Sequence, residues 1–179
     1  MPYIIMSLLI LGFNSIINDE KSAAFDLRKD LTHFSYSMNE SDSMIIVANL
    51  SACSSRWHET NILTKKNNQI LISTSAKGDF VEDDEKQLKS TFYHFAQNDS
   101  LNFENLFSYM EKKNVQGKKT KSNVFTIIFK QDTVTFYSYG LNDHLNNINY
   151  YIKIKRRIYP SVKMYQPLEI PPKPDEQKE

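Results

Sequence analysis

Cysteine is nearly absent, since the 179-residue chain holds only Cys53. An intrachain disulfide is therefore impossible, and no C-x-x-C pair exists to found a zinc site. Glycine is almost as scarce, with four in the whole chain, at Gly12, Gly78, Gly117 and Gly140. Loops that cradle phosphates need clustered glycines so that backbone N–H groups can approach the ligand. Walker-type and dinucleotide fingerprints are thus excluded, and so is the G-x-S-x-G nucleophile elbow. Charge of one sign is lacking too: 22 basic and 21 acidic residues leave a formal charge of +1. That balance gives no global attraction to nucleic acid or to an anionic membrane.

Long apolar runs are missing with one exception. Met1 to Phe13 is an uncharged apolar block in an otherwise polar sequence. Its core, Tyr3 to Phe13, matches the h-region of a secretory signal and is too short to span a bilayer as a helix. The block predicts a signal peptide over residues 1–17 and a mature chain starting near Asn18. The protein is then exported, to the periplasm, the cell surface or the medium. The competing reading makes Ile4 to Phe13 a buried first element of a cytoplasmic protein.

The remaining composition is that of a globular protein, with 40% hydrophobic and 12% aromatic residues. The length fits one α+β domain over residues 18–165 with a single sizeable core. Residues 166–179 carry four of the six prolines and no apolar periodicity, which predicts an extended, disordered tail. Asn, Lys and Ile supply 51 of the 179 residues. Asn-rich stretches, including the N-x-S sequons at Asn39, Asn49 and Asn98, accordingly need no functional explanation.

Hydrophobic periodicity sets the expected elements. Asn18 to Phe34 reads as a helix with Ala23, Leu27, Leu31 and Phe34 on one face. Ser43 to Leu50 reads as a buried strand, Arg56 to Thr64 as a weaker one and Gln69 to Ser75 as a third, joined as an antiparallel meander. Gly78 to Glu85 is an acidic loop leading into a helix over Lys86 to Gln97, with Leu88, Phe92 and Phe95 aligned. A second helical stretch covers Phe103 to Lys112, and Asn114 to Asn123 forms a basic loop. Asn123 to Lys130 and Thr133 to Tyr139 predict a hairpin turning at Gln131 and Asp132. Asp143 to Val162 fits a helical stripe better than a strand. The fold class is therefore α+β: an antiparallel sheet of about five strands, a three-stranded meander plus a C-terminal hairpin, with helices packed on one face.

Few residues suggest chemistry. The four histidines (His33, His58, His94, His144) lie far apart in sequence, and Ile62 stands where a zincin helix that opens with His58-Glu59 needs its second His. No metal site and no cofactor are expected. The run Asp79, Glu82, Asp83, Asp84 and Glu85 lacks the ligand spacing of a calcium loop. Cys53 could act as a nucleophile only beside a base, which gives a hydrolase with its site around Cys53, His58 and His94 as one alternative. His144 is a further conceivable base for Cys53. The stretch 150–165, with Tyr150, Tyr151, Lys153, Lys155, Arg156, Arg157, Tyr159, Lys163 and Tyr165, gives another: a cytoplasmic protein that meets nucleic acid through basic and aromatic side chains.

The order of parts resembles that of small exported proteins of Bacteroidota that carry no assigned activity. The apolar leader, Asp42-Ser43-Met44-Ile45-Ile46 opening a strand, Ser51-Ala52-Cys53 after it, and the hairpin Asn123 to Tyr139 carry the resemblance, across about residues 1–155. It implies an exported α+β protein. By elimination, the favoured function is a non-catalytic binding or interaction module that binds another molecule through its sheet or helical face; the partner is left open, another protein being one candidate class.

Overall fold

The computed structural model describes residues 24–52, 55–79, 85–94, 99–114 and 122–166. The expected leader, Cys53, Phe95 and the proline-rich tail lie outside the described residues. Six strands form one antiparallel sheet: β1 (Ser43–Asn49), β2 (Trp57–Lys66), β3 (Gln69–Gly78), β4 (Lys86–Tyr93), β5 (Ser122–Phe129) and β6 (Asp132–Ser138). Their order across the sheet is β4-β3-β2-β1-β5-β6, with every pair antiparallel. The expected meander and hairpin are both present, joined side by side through β1 and β5.

Side chains alternate across each strand, so one face of the sheet is dry and the other meets solvent. In β1 the dry face carries Met44, Ile46 and Ala48. The matching row in β5 is Phe125, Ile127 and Phe129, which pair with Ala48, Ile46 and Met44. The β2–β3 connection is a two-residue turn in which Asn67 (φ 51) and Asn68 (φ 58) both take left-handed backbone. That is the type I′ geometry whose twist matches the strands, and Asn tolerates it best after Gly. The Glu40 carboxylate accepts both turn amides, from Asn67 at 2.9 Å and Asn68 at 2.5 Å.

Helical segments cover the dry face. A first cap consists of α1 (Leu27–Asp30), a 3₁₀ turn (Leu31–His33) and α2 (Phe34–Ser37). Asp26 caps α1 by accepting from the amides of Arg28 and Lys29. Two longer helices follow, α3 (Phe103–Asn114) and α4 (Leu141–Ile158), with a final 3₁₀ turn at Lys163–Tyr165. Between layers, the rings of Tyr93, Phe103, Phe107 and Phe136 stack in sequence with centroids 5.5, 6.1 and 5.7 Å apart. Such offset aromatic contacts add to the area that each ring buries.

Three segments depart from the sequence reading. Lys86 to Tyr93 is a strand and not the start of a helix over 86–97. Leu88 lies on the dry face, but Phe92 is 56% exposed, so the apparent helical stripe is not one face. A register shift opposite Ile72 and Thr74 marks a β-bulge that re-aims the strand, and Tyr93 returns inward opposite Ile70. This strand raises the count from about five to six. The hairpin turns one residue early, at Lys130 and Gln131, because Phe129 already pairs with Asp132. Lys130 takes the positive φ (54°) that this connection requires. Among the described residues the first helical segment begins at Leu27 and runs on to Ser37, three residues past Phe34.

Gly78 ends β3 with φ +139°, where a Cβ would come within 2.0 Å of the Arg56 carbonyl oxygen. The β2 and β3 backbones approach closely there, and only glycine fits. Gly78→Ala should lower the unfolding free energy in urea by about 2–4 kcal/mol. Gly140→Ala, at φ +80° with open space around the position, should cost about 1 kcal/mol.

Candidate functional site

Strand β2 sets the chemistry of the interior. Its dry-face residues are Trp57, Glu59, Asn61, Leu63 and Lys65, so three of five are polar or charged. Opposite Asn61, β3 contributes the buried Thr74. Helix α4 lowers Tyr151 and Lys155 onto these groups, and Tyr159 and Tyr165 follow from the segment after it. The Lys155 Nζ donates to Asn61 Oδ1 and Thr74 Oγ1, both at 2.6 Å, and lies 3.5 Å from Glu59 Oε2. Tyr151 donates to Glu59 Oε2 at 2.7 Å and Tyr165 to Glu59 Oε1 at 2.8 Å. Asn61 Nδ2 donates to the Tyr151 hydroxyl and the Ile46 carbonyl. The Lys155 ammonium also sits 4.6 Å from the Tyr159 ring centroid and 5.3 Å from that of Tyr165.

Burial moves the ionisation of this cluster. Removal from water pulls the Lys155 ammonium down from its ordinary 10.5 to about 8, while the nearby Glu59 carboxylate pulls the other way. Burial first, and the Glu59 charge second, hold the Tyr151 and Tyr165 phenols above their usual range. Between pH about 8 and 10 the unfolded chain keeps a proton on Lys155 that the folded chain has lost. Stability therefore rises with pH across that window. Above about 10 the unfolded tyrosines ionise while their buried counterparts stay neutral, and stability falls.

An aromatic relay joins this cluster to the surface. Tyr151 contacts Phe103 at 5.7 Å, and Phe103 stacks on Tyr93 at 5.5 Å. The Tyr93 hydroxyl donates to Glu104 Oε2 at 2.7 Å and accepts from the Phe103 amide at 2.8 Å. Burial, and then the Glu104 charge, raise the Tyr93 phenol well above its ordinary value. Beyond Tyr93 opens a cleft of about 410 Å³, where the α1–α2 segment, the β2–β3 turn, the end of β4 and the start of α3 meet. Glu104 and Lys65 anchor its wall by gripping one residue. The Ser35 amide donates to Glu104 Oε1, and the Ser35 carbonyl accepts from Lys65 Nζ.

The rim of the cleft has a different character. Tyr36 (72% exposed) and Phe92 (56% exposed) present aromatic surface there. Asn68 sits in the clamped type I′ turn and Gln69 begins β3, both exposed. His94 follows β4 on the same rim, and His33 stands near Asp30 with Nε2 3.5 Å from Oδ1. The lining also includes Asn102 and Asn105, where the Asn102 side chain caps α3 by accepting from the Asn105 amide at 2.7 Å. The cleft is a preformed concave site of ordinary small-molecule size.

The residues singled out from sequence are dispersed. His58 is exposed at the start of β2, paired with Lys77, while His94 lies past Tyr93, which pairs with Ile70 at the opposite end of β3. The fold thus does not bring His58 and His94 together. Buried His144 meets the Ser51 carbonyl through Nε2 at 2.8 Å, two residues before Cys53, which lies outside the described residues. Among the described residues no three His, Cys, Asp or Glu side chains gather to hold a metal.

The basic-aromatic stretch 150–165 divides. Tyr151, Lys155, Tyr159 and Tyr165 are buried in the cluster above. Arg156 Nε donates to the Tyr165 carbonyl, and Arg157 pairs with Asp99. Lys153 and Lys163 remain exposed. The cleft residues Tyr36, Lys65, Tyr93 and Glu104 went unnoticed because they come from distant segments. One local clue existed: Asn67-Asn68 is a residue pair suited to a tight hairpin, and it fixes which strand ends form the rim. No protein-family model matches the chain, and no curated protein and no solved structure matches it either.

Lys155→Met leaves the buried Glu59 carboxylate without its cation and should cost about 3–5 kcal/mol of unfolding free energy. Adding Glu59→Gln removes the stranded charge and should restore at least half of that loss. The stability gain of the wild type between pH about 8 and 10 should vanish in both variants, as read from urea unfolding at a series of pH values. A gain that persists without Lys155 would assign it to another group.

Proposed function

We propose that this protein is a non-catalytic binding module whose ligand seats in the cleft between Tyr36, the Asn67-Asn68 turn and Phe92. One observation carries the reading: Lys65 and Glu104 of the cleft serve the fold, as do the Asn102 and Asn105 carboxamides at the start of α3, while the exposed Tyr36 and Phe92 rings and the Asn68 and Gln69 carboxamides have no structural task among the described residues. Lys65 and Glu104 are spent on the Ser35 backbone and on Tyr93. Neither is left free for proton transfer to a bound molecule. Tyr36 and Phe92 keep large apolar surface in water, which is costly unless something covers it.

Rigidity supports the same reading. The Glu40 clamp on the turn and the bond from Tyr93 to Glu104 hold the walls in place before any ligand arrives. A preformed site loses little conformational freedom on binding. Export, expected from the apolar run Tyr3 to Phe13, belongs to this proposal and places the module where it meets molecules outside the cytoplasm.

The test is a screen of small polar fragments against isotope-labelled protein, read by amide shifts in nuclear magnetic resonance. Fragments should move the Asn68, Gln69 and Asn105 amides and be recovered unchanged. Shifts confined to other surfaces, or chemical conversion of a bound fragment, would overturn the reading. The mass of the native protein gives the second readout: outside the cytosol it should lack residues 1–17, and a full-length cytosolic species would defeat the export claim.

A further inference from the structure

We infer that the ligand class of this cleft is a neutral saccharide, a mono- or disaccharide unit presented alone or at the end of a glycan. The inference rests on the reading of the cleft as a ligand site and adds what the site recognises. A pyranose has two kinds of surface, a patch of C–H groups on its ring face and a belt of hydroxyls at its edge. The C–H patch is weakly positive and sits well on the negative face of an aromatic ring. Each hydroxyl both donates and accepts, and so does a carboxamide, which makes Asn and Gln natural partners.

The cleft offers both kinds of partner at once. Tyr36 on α2 and Phe92 on β4 supply exposed rings from two different elements. Among the described residues the Asn68 and Gln69 carboxamides make no internal hydrogen bond, so both are open to a ligand. The charge arrangement disfavours anions. Lys65 is only 6% exposed, with its ammonium on the Ser35 carbonyl, and among the described residues no arginine lines the cleft to fork onto a phosphate or carboxylate; its other basic groups are the rim imidazoles of His33, which faces Asp30, and His94. A volume of about 410 Å³ falls toward the lower end of small-molecule sites, which span roughly 300–1,000 Å³. That suits one or two sugar rings and is small for a longer chain.

The experiment titrates the full chain with methyl β-glucoside, cellobiose, lactose and chitobiose, beside AMP and tetra-alanine as charged and peptidic comparators. Readouts are amide shifts at Asn68 and Gln69 and saturation transfer from protein rings to sugar protons. At least one saccharide should bind, and Tyr36→Ala or Phe92→Ala should each weaken it about tenfold. Both side chains are exposed, and thermal melting checks that the variants remain folded. Ile62→Ala, on the opposite face of the sheet, should bind as the wild type does. Saccharide binding that ignores both ring variants overturns the inference. Shifts from AMP or tetra-alanine with none from the sugars overturn the class and leave the cleft as a ligand site. Silence from every probe, together with failure of the fragment screen, overturns both readings.

Discussion

A carboxylate and an ammonium that have left water together constrain everything else in this molecule. Glu59 and Lys155 are at most 1% exposed, and each must find all its partners inside the protein. A buried pair of this kind adds little net stability, because the hydration lost is about as large as the attraction gained. Its influence is on geometry. Only one placement of α4 across β2 and β3 lets Lys155 reach Asn61, Thr74 and Glu59 while Tyr151 reaches Glu59. A shift of α4 by one residue turns its face by about 100° and would carry Lys155 and Tyr151 off these partners together. The apolar layers fill around that fixed point.

The cleft follows from the same accounting of polar groups. Tyr93 belongs to an aromatic stack that begins at the buried cluster, and its hydroxyl fixes Glu104 and the start of α3. Glu104 and Lys65 then bind opposite ends of the Ser35 residue. The interior thus uses up its charges in positioning walls. What remains at the rim beside His33 and His94 is two exposed aromatic rings and the Asn68 and Gln69 carboxamides, and this remainder defines what the site can hold.

How much of this could be read from the chain varies with the residues. Strands β1, β5 and β6 were legible, because β-branched and aromatic residues are dense there. Helix α4 was legible as a helix from a stripe at Leu145, Ile148, Ile152, Tyr159 and Val162, but of these only Ile148 and Tyr159 are buried; the inner face also carries Ile154 and Lys155, whose local alternation suits a strand. Strand β2 read as weak because its inward positions include Glu59, Asn61 and Lys65, which look like solvent-facing residues until α4 covers them. Strand β4 was misread because Leu88 and Phe92 fall four apart, and the bulge that sends them to opposite faces has no sequence signature. The cleft was illegible in principle, since its walls meet only after segments separated by up to 69 residues come together.

The buried cluster also fixes the order in which the molecule can be made. Glu59 and Asn61 leave the ribosome early, whereas Lys155 lies 94 residues beyond Asn61 and Tyr165 lies 106 beyond Glu59. A nascent meander of β1, β2 and β3 therefore has an inner face it cannot dry, because a carboxylate and a carboxamide sit in its middle without their partners. The inner face of that meander finds its polar partners only once Tyr151, Lys155 and Tyr165 are present. The charge that pins the finished fold is what keeps the unfinished one from setting too soon.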